Sequence, residues 1–295
     1  MDVEMKIQEP INRVTRKQKL KNYSKHPGSF LLALLTKLAI LLTVLALGFI
    51  LIYILVKGIP NLSTDLFALK YTTENVSMLP AIINTLIITL LSLCIAGPIG
   101  IFSAIYLVEY AKKGNKLVEV VRVTTETLTG IPSIVYGLFG MLFFVTTLKC
   151  GYSILAGALT LSIMVLPVIM RTTEEALLAV PNSFREGSFG LGAGKLRTIF
   201  KIVLPSAVPG ILAGVILAIG RMVGETAALI YTAGTVAEIP SSIMSSGRTL
   251  AIHMYSLSKE GLYTDQAYAT AVVLLIVVVL INMLSNFVAK KFTKK

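Results

Sequence analysis

Two opposite charges stand four residues apart in a strongly apolar stretch, Val208 to Tyr231. They are Arg221 and Glu225. If this stretch is a membrane helix, both side chains lie on one face and each compensates the other's charge. A charge inside a bilayer costs roughly 3 kcal/mol or more unless it faces a partner or a wet cavity, so both are candidates for a role in a translocation pathway. A purely structural ion pair is the alternative.

The guanidinium of Arg221 also suggests a ligand. Its planar fork matches the geometry of phosphate, and it would serve sulfate or molybdate equally well. Arg171, at the inner end of another apolar stretch, offers a second such site. Anchoring of the helix end by a cytoplasmic positive charge explains Arg171 as well.

A glycine run, Gly190 to Gly194, follows a helix-start signal. Ser183 and Glu186 fit the S-x-x-E capping box, which predicts a short helix from Phe184. The glycines break it, and a second helix starts at about Lys195 and ends or bends at Pro205. The ATP-binding pattern G-x-x-x-x-G-K-[ST] is not met, so this chain is not expected to hydrolyse ATP.

Other chemistry finds little support in the sequence. His26 and His253 fall on opposite sides of the predicted membrane, and Cys94 and Cys150 lack metal-ligand spacing. We therefore expect no catalytic residue, no metal site and no cofactor in this chain. The net charge of +12 lies in tails and short loops, which argues against nucleic-acid binding.

The elements that position these residues are membrane helices. Hydrophobic residues make up 55% of the chain and the mean hydropathy is +0.81, too apolar for a soluble protein of this length. Six stretches approach or exceed the roughly 20 residues that a helix needs to cross a bilayer, the third and fourth of them being short. They are Leu31–Val56, Ala81–Val108, Gly130–Leu148, Ser153–Met170, Val208–Tyr231 and Ala267–Val288.

The positive residues orient these spans. Twenty of the 27 Lys and Arg residues fall on one side of a six-span topology and five on the other. Positive charge concentrates in cytoplasmic loops, so both termini are predicted to be cytoplasmic. The long outer connection, Thr232 to Asp265, contains a predicted surface helix with Leu250, Met254 and Leu257 on one face.

The inner connection carries a resemblance to a known family. ABC importer permeases share a cytoplasmic signature, E-A-A, then Gly six residues after the Glu, then I-x-L-P. This chain matches it, with Gly and Ser in place of the two Ala residues. The matching residues are Glu186, Gly187, Ser188, Gly192, Ile202, Leu204 and Pro205.

The resemblance implies a fold and a set of partners. The fold is the all-α type I ABC importer permease fold with a cytoplasmic coupling helix. The expected layout is a basic tail (1–30), a first transmembrane helix (31–57), a permease domain (79–288) with a coupling segment (172–205), and a second basic tail (289–295). Ser183 joins the signature residues as an expected ATPase contact. ATP and Mg would be bound by a separate cytoplasmic ATPase dimer.

Three further stretches resemble phosphate importer permeases, in particular their A-type subunit. They are Asn84–Leu93, Gly130–Gly140 and Gly220–Gly234. This resemblance implies a multi-pass protein of a prokaryotic inner membrane that forms half of a phosphate pathway. Its partners would be a related second permease, an extracytoplasmic phosphate-binding protein and membrane lipid. A permease for another oxyanion, or a sensor subunit that relays occupancy of the binding protein, is the alternative.

Overall fold

A computed structural model describes residues 27–112 and 114–293, with side chains as far as Phe287. The chain divides into two compact units, one ending at Ile54 and the other beginning at Leu55. Helix α1, Pro27–Gly58, is apolar along its length, and nearly all of its side chains are exposed. Such a helix suits a lipid environment. Most of the predicted basic tail, residues 1–26, lies outside the described residues.

The regular structure of the described residues is entirely helical. Two 3-10 turns, Ile59–Asn61 and Thr64–Phe67, follow α1. The remaining helices are α2 (Leu79–Ile105, continued by a π-helical turn, Tyr106–Tyr110), α3 (Lys116–Thr129), α4 (Ser133–Gly140, continued by a π-helical turn, Met141–Thr147), α5 (Ile154–Leu178), α6 (Asn182–Gly190), α7 (Lys195–Val223), α8 (Ala227–Ile230), α9 (Leu250–Glu260) and α10 (Thr264–Thr293).

Five of these helices, α1, α2, α5, α7 and α10, are long and apolar enough to cross a membrane. A sixth crossing is obtained if α3 and α4 count as one span broken by a bend of 105°. The prediction of an all-α membrane protein with about six transmembrane helices is therefore confirmed.

The central core lies where α2, α5 and α7 pack together. Polar side chains connect the first two of these helices, because Ser92 Oγ donates to the Ala158 carbonyl at 3.1 Å and Ser162 Oγ donates to the Ser92 carbonyl at 3.2 Å. Gly214 brings α7 close to α5, since a Cβ at that position would collide with the side chain of Thr172. Buried hydroxyls whose bonds are satisfied allow close helix contact in an apolar environment.

The third predicted span, Gly130–Leu148, is wrong at its start. The helix begins at Ser133, and the amphipathic α3 precedes it at a sharp angle. Pro132 explains the break, because proline disfavours helical backbone at the residue before it and cannot donate a helix hydrogen bond. The Tyr136 hydroxyl fastens the bend by donating to the Leu128 carbonyl at 2.8 Å.

The start of α7 also differs from the prediction at Pro205. The helix runs from Lys195 to Val223 without ending there. A π-helical turn, Ile199–Val203, precedes Pro205, which therefore falls in the first turn of the following α-helical part. Proline is tolerated at that position because its missing N–H would have no partner in the helix.

Candidate coupling segment and transmembrane charges

The coupling segment begins differently from the predicted capping box. Helix α6 starts at Asn182, with Pro181 at the N-cap and no side-chain cap hydrogen bond. Ser183 thus lies inside the first turn, two residues past the cap, and does not cap the helix. Proline at the N-cap starts the helix earlier than Ser183 would, because its fixed φ already leads the backbone toward the helix.

The end of α6 is a Schellman motif centred on Gly192. The Gly192 N–H donates to the Phe189 carbonyl at 2.9 Å, and the Ala193 N–H donates to the Ser188 carbonyl at 3.1 Å. Gly192 has φ +81°, a left-handed conformation that strains residues with a Cβ. The sequence prediction of a glycine break that fixes the shape of this segment is confirmed at this residue.

The two small residues of the signature have different surroundings. Ser188 is buried, and its Oγ is 2.9 Å from Thr198 Oγ1 of α7. Gly187 faces open space, since a Cβ there would meet no atom within 4 Å. Glu186 is also exposed. The first small residue is therefore free to contact a partner, and the second holds α6 against α7.

Large apolar side chains are also exposed near Gly187 in the chain. On α6 and the turn after it these are Phe184, Phe189 and Leu191, with Leu191 at 91%, and Leu196 follows at the start of α7. Ile202, Gly192 and Leu191 line a cavity of about 290 Å³ beside them. Leu204 packs instead against a second apolar cluster, which includes Ile105, Leu177 and Ile199. Exposed apolar groups on a rigid helical turn are typical of a protein docking surface.

Sequence reasoning missed the residue that ties this segment to the membrane helices. Arg185 forms an ion pair with Glu109, at the end of the π-helical turn after α2, with Nη2 to Oε1 at 2.7 Å. It also donates to the carbonyls of Leu177 and Val180 at 2.9 and 2.8 Å. Both charged side chains are largely buried, at 15% and 9% exposure. Arg185 thus joins α6 to the ends of α2 and α5.

The predicted pairing of Arg221 with Glu225 is wrong. Helix α7 ends at Val223, so Glu225 lies beyond it rather than one turn along the same face. Glu225 Oε1 instead accepts a hydrogen bond from the Ala228 N–H at 3.0 Å, at the start of α8. No carboxylate lies within ion-pair distance of Arg221 among the described side chains. Gly224 permits this break, because glycine ends helices readily.

Arg221 instead lies near the broken α3–α4 pair. It is close enough to the Tyr136 phenol to interact with it electrostatically. The same region contains a tight helix contact, because a Cβ at Gly137 would lie 2.8 Å from Ala228 Cα. Glu225 therefore fixes α8 where it packs against α4, whereas the Arg221 charge has no carboxylate partner in this chain's described part.

Arg171 lies elsewhere, in the C-terminal half of α5. Its Nε donates to Glu175 Oε1 at 3.1 Å, and the pair is exposed. A cavity of about 240 Å³ beside it is also lined by Arg122, Glu126 and Glu174. The structure joins Arg171 to acidic neighbours and shows no contact with Arg221 among the described residues. Because the glutamates that line this cavity outnumber its arginines, it has no excess of positive charge that would attract an anion.

Comparison with known proteins decides the family. Residues 96–295 match the family described as binding-protein-dependent transport system inner membrane component. The chain belongs to this family. The resemblance to ABC importer permeases is therefore confirmed, and the matched range includes the coupling segment, Arg221 and Glu225.

Individual relatives of this family cover most of the chain. The phosphate transport system permease protein PstA of Pasteurella multocida is 36% identical over 269 residues, which are 87% of this chain and 92% of the relative. The probable ABC transporter permease protein YqgI of Bacillus subtilis is 33% identical and covers 82% and 88%. A bacterial alginate ABC transporter structure has a TM-score of 0.67 at 17% identity, covering 92% of this chain and 98% of that one. The last likeness concerns the fold.

Proposed function

We propose that this chain forms half of the translocation pathway for inorganic phosphate in an ATP-driven importer. The observation that carries the proposal is the near full-length similarity to a phosphate permease at 36% identity. Arg221 supports it, since a guanidinium near Tyr136 with no carboxylate partner among the described side chains offers a transient site to a passing oxyanion. A cytoplasmic ATPase dimer binds ATP and Mg, a related permease completes the pathway, and a phosphate-binding protein delivers the ion.

Another oxyanion is the second candidate, because the guanidinium argument applies equally to sulfate and molybdate. Reconstitution with the partner subunits in proteoliposomes separates these ligands. We expect uptake of radiolabelled phosphate and a rise in ATP hydrolysis with phosphate-loaded binding protein. Uptake of sulfate through its own binding protein without uptake of phosphate would contradict phosphate import, and equal uptake of the two ions would contradict selectivity for phosphate. ATP hydrolysis without uptake would instead favour the sensor alternative.

Arg221 has a defined part in this proposal. Arg221→Gln removes the charge and keeps a polar side chain, so we expect an assembled complex with phosphate uptake reduced at least about tenfold, as befits one charged hydrogen bond. Glu225→Gln keeps an oxygen acceptor for the Ala228 N–H and is the matched control. Normal uptake by Arg221→Gln would remove Arg221 from the pathway.

The ATPase docks, in this proposal, on the open face of α6. Glu186 and Gly187 are exposed there, and Arg185 transmits movement of α6 to α2 and α5. Glu186→Lys should uncouple ATP hydrolysis from uptake while the complex still inserts in the membrane. Glu119→Lys, at an exposed site on α3, is the control for charge reversal. Wild-type uptake by the Glu186 variant would place the docking surface elsewhere.

The outer surface receives the binding protein, and both termini face the cytoplasm. Ser258 is exposed on α9, whereas Ser246 is partly buried and donates to the Ala233 carbonyl at 2.8 Å. A cysteine at Ser258 should therefore react with an impermeant reagent from outside and crosslink to bound partner. Labelling of that cysteine from the cytoplasmic side alone would reverse the orientation.

A further inference from the structure

Arg248 is a buried cation without a carboxylate partner among the described residues. It is 6% exposed, and its Nε and Nη2 atoms are buried without a hydrogen bond. Its guanidinium lies over the Tyr71 ring, with Cζ 4.6 Å from the ring centre. No carboxylate of the described residues lies within ion-pair distance. An uncompensated buried charge is strongly unfavourable, so the site favours a negatively charged group that the described residues do not provide.

The backbone next to Arg248 adds further positive potential. Arg248 directly precedes α9, an eleven-residue helix whose N-cap is Thr249. A helix N-terminus carries a partial positive charge and favours anions, so an arginine there is opposite to the usual arrangement. The Thr249 hydroxyl caps nothing and is buried without a partner. Three groups that favour an anion thus coincide.

His253 provides the complementary hydrogen-bonding group. It is fully buried, and its ring stands edge-on to the same Tyr71 ring, with the centres 6.1 Å apart. Burial, with a smaller effect of the Arg248 charge, lowers the pKa of His253 to about 3, despite the opposing effect of the nearby Val76 backbone. The imidazole is therefore neutral, with one N–H donor and one acceptor nitrogen, and neither ring nitrogen forms a well-aligned hydrogen bond.

Helix α2 holds this arrangement rigidly. Asn84 Nδ2 donates to the main-chain carbonyls of Arg248 and Glu238 at 3.2 and 3.0 Å. Thr85 Oγ1 accepts from the Leu250 N–H at 2.8 Å, at the first residue of α9. The backbone that positions Arg248 and Thr249 is therefore fixed before any ligand arrives, as expected of a specific binding site.

We propose that Arg248, Thr249 and His253 form a binding site for a small oxyanion, with inorganic phosphate as the ligand. The site is separate from Arg221 and rests on the proposed phosphate import for its choice of ion. Phosphate suits it better than sulfate, because phosphate at neutral pH retains an O–H that the acceptor nitrogen of His253 can receive. Sulfate has no such hydrogen. A small ion also fits the burial better than a side chain of a docked protein.

Equilibrium binding of radiolabelled phosphate tests the site directly. The assembled transporter, without its binding protein, is compared as wild type, Arg248→Met and Lys259→Met. Lys259 is an exposed cation on the same helix, so its variant controls for loss of charge. We expect the Arg248 variant to bind with a Kd at least about tenfold weaker, as one charged hydrogen bond implies, and the Lys259 variant to match wild type. Equal binding by the Arg248 variant would overturn the site.

Two further variants keep the result interpretable. Arg248→Lys retains the charge, so it should recover part of the binding if Arg248→Met folds poorly. His253→Leu should bring phosphate and sulfate affinities closer together, and an unchanged preference for phosphate would refute the role of His253.

If Arg248-dependent binding persists in a complex that imports no phosphate, the proposed function fails and the site stands. If phosphate is imported and Arg248→Met binds normally, the site fails and the function stands.

Discussion

Arg185 and Arg248 are two largely buried arginines in the long connections on either side of α7, and the chain treats them differently. Arg185 has a carboxylate, Glu109, and two main-chain carbonyls within hydrogen-bond distance. Arg248 packs against the Tyr71 ring, and its buried Nε and Nη2 atoms form no hydrogen bond with the described residues. The first is part of the protein's own framework, whereas the second is arranged to receive something from outside.

We attribute this difference to the role proposed for each arginine, a structural link for Arg185 and a binding site for Arg248. A link between α6 and the membrane helices must hold in every state of the transporter, so its bonds are complete within one chain. A binding site must release its ligand, so its polar groups are held in place by the backbone and left open. Buried charges that lack partners are exceptions to ordinary packing, and such exceptions tend to mark functional sites.

The largest expected effect is a difference in the free energy of unfolding between a variant of Arg185 and the matching variant of Arg248. Arg185→Met leaves Glu109 buried and unpaired, so we expect the free energy of unfolding to fall by about 3–5 kcal/mol. Arg248→Met removes a charge that has no carboxylate partner among the described residues and loses a cation–π contact, so the loss should be at most about 1 kcal/mol. Unfolding of the purified protein in detergent and phosphate-free buffer measures both.

Equal losses in the two variants would contradict the comparison. Arg185→Lys gives a graded control, because lysine keeps the charge near Glu109 but lacks the planar fork that reaches three acceptors. It should fall between wild type and Arg185→Met.

Prediction from sequence worked best where lipid decides the structure. The first span was predicted as Leu31–Val56 and is found within Pro27–Gly58, because a long apolar run has few alternatives to a membrane helix. Gly192 was also placed correctly, since its role is local and depends on its own backbone. Features of this kind are encoded within a few neighbouring residues.

Prediction failed where a contact depends on the fold. Glu109 and Arg185 are 76 positions apart, and no periodicity connects them. Glu225 lies only four positions after Arg221, yet the helix ends between them and the expected pair does not form. In the sequence, Arg248 was only one of five positive residues on the outer side, because its burial is created by Tyr71 and α2.

A smaller effect, on the pH dependence of stability, tests the burial of His253 in the proposed site of Arg248, Thr249 and His253. The folded pKa of His253 is about 3, below the unfolded value of 6.5, so the unfolded chain binds the extra proton first as the pH falls. Stability linked to this neutral imidazole is complete above about pH 6.5 and is lost progressively toward pH 3. At pH 5, relative to pH 7.5, this contributes a loss of about 2 kcal/mol.

Replacement by a neutral side chain isolates this contribution. His253→Gln should lose about 2 kcal/mol less than wild type between pH 7.5 and pH 5, while the carboxylates titrate alike in both proteins. Parallel pH profiles of the two proteins would show that His253 is not buried as the structure has it.

Within the coupling segment, a substitution of Gly192 tests whether the chain's own backbone fixes the end of α6. Gly192→Ala adds a Cβ that meets no other atom, so any loss comes from its positive φ alone. A left-handed non-glycine residue costs about 1–2 kcal/mol, and we expect that loss of stability together with weaker coupling to ATP hydrolysis. An unchanged unfolding midpoint would mean that the Schellman turn does not form.

The smallest effect on stability is expected at Gly187, which is exposed and has free space beside it. A Cβ at this position meets no atom within 4 Å, and both alanine and leucine have a better helix propensity than glycine, so stability should stay the same or rise by up to about 1 kcal/mol. If the ATPase docks on this face, bulk there should act only in the complex. ATP hydrolysis stimulated by loaded binding protein should therefore fall from wild type to Gly187→Ala to Gly187→Leu, while each purified chain unfolds no earlier than wild type. Full stimulation in the leucine variant would show that Gly187 lies outside the docking face, and a destabilised leucine variant would show that the position is not open.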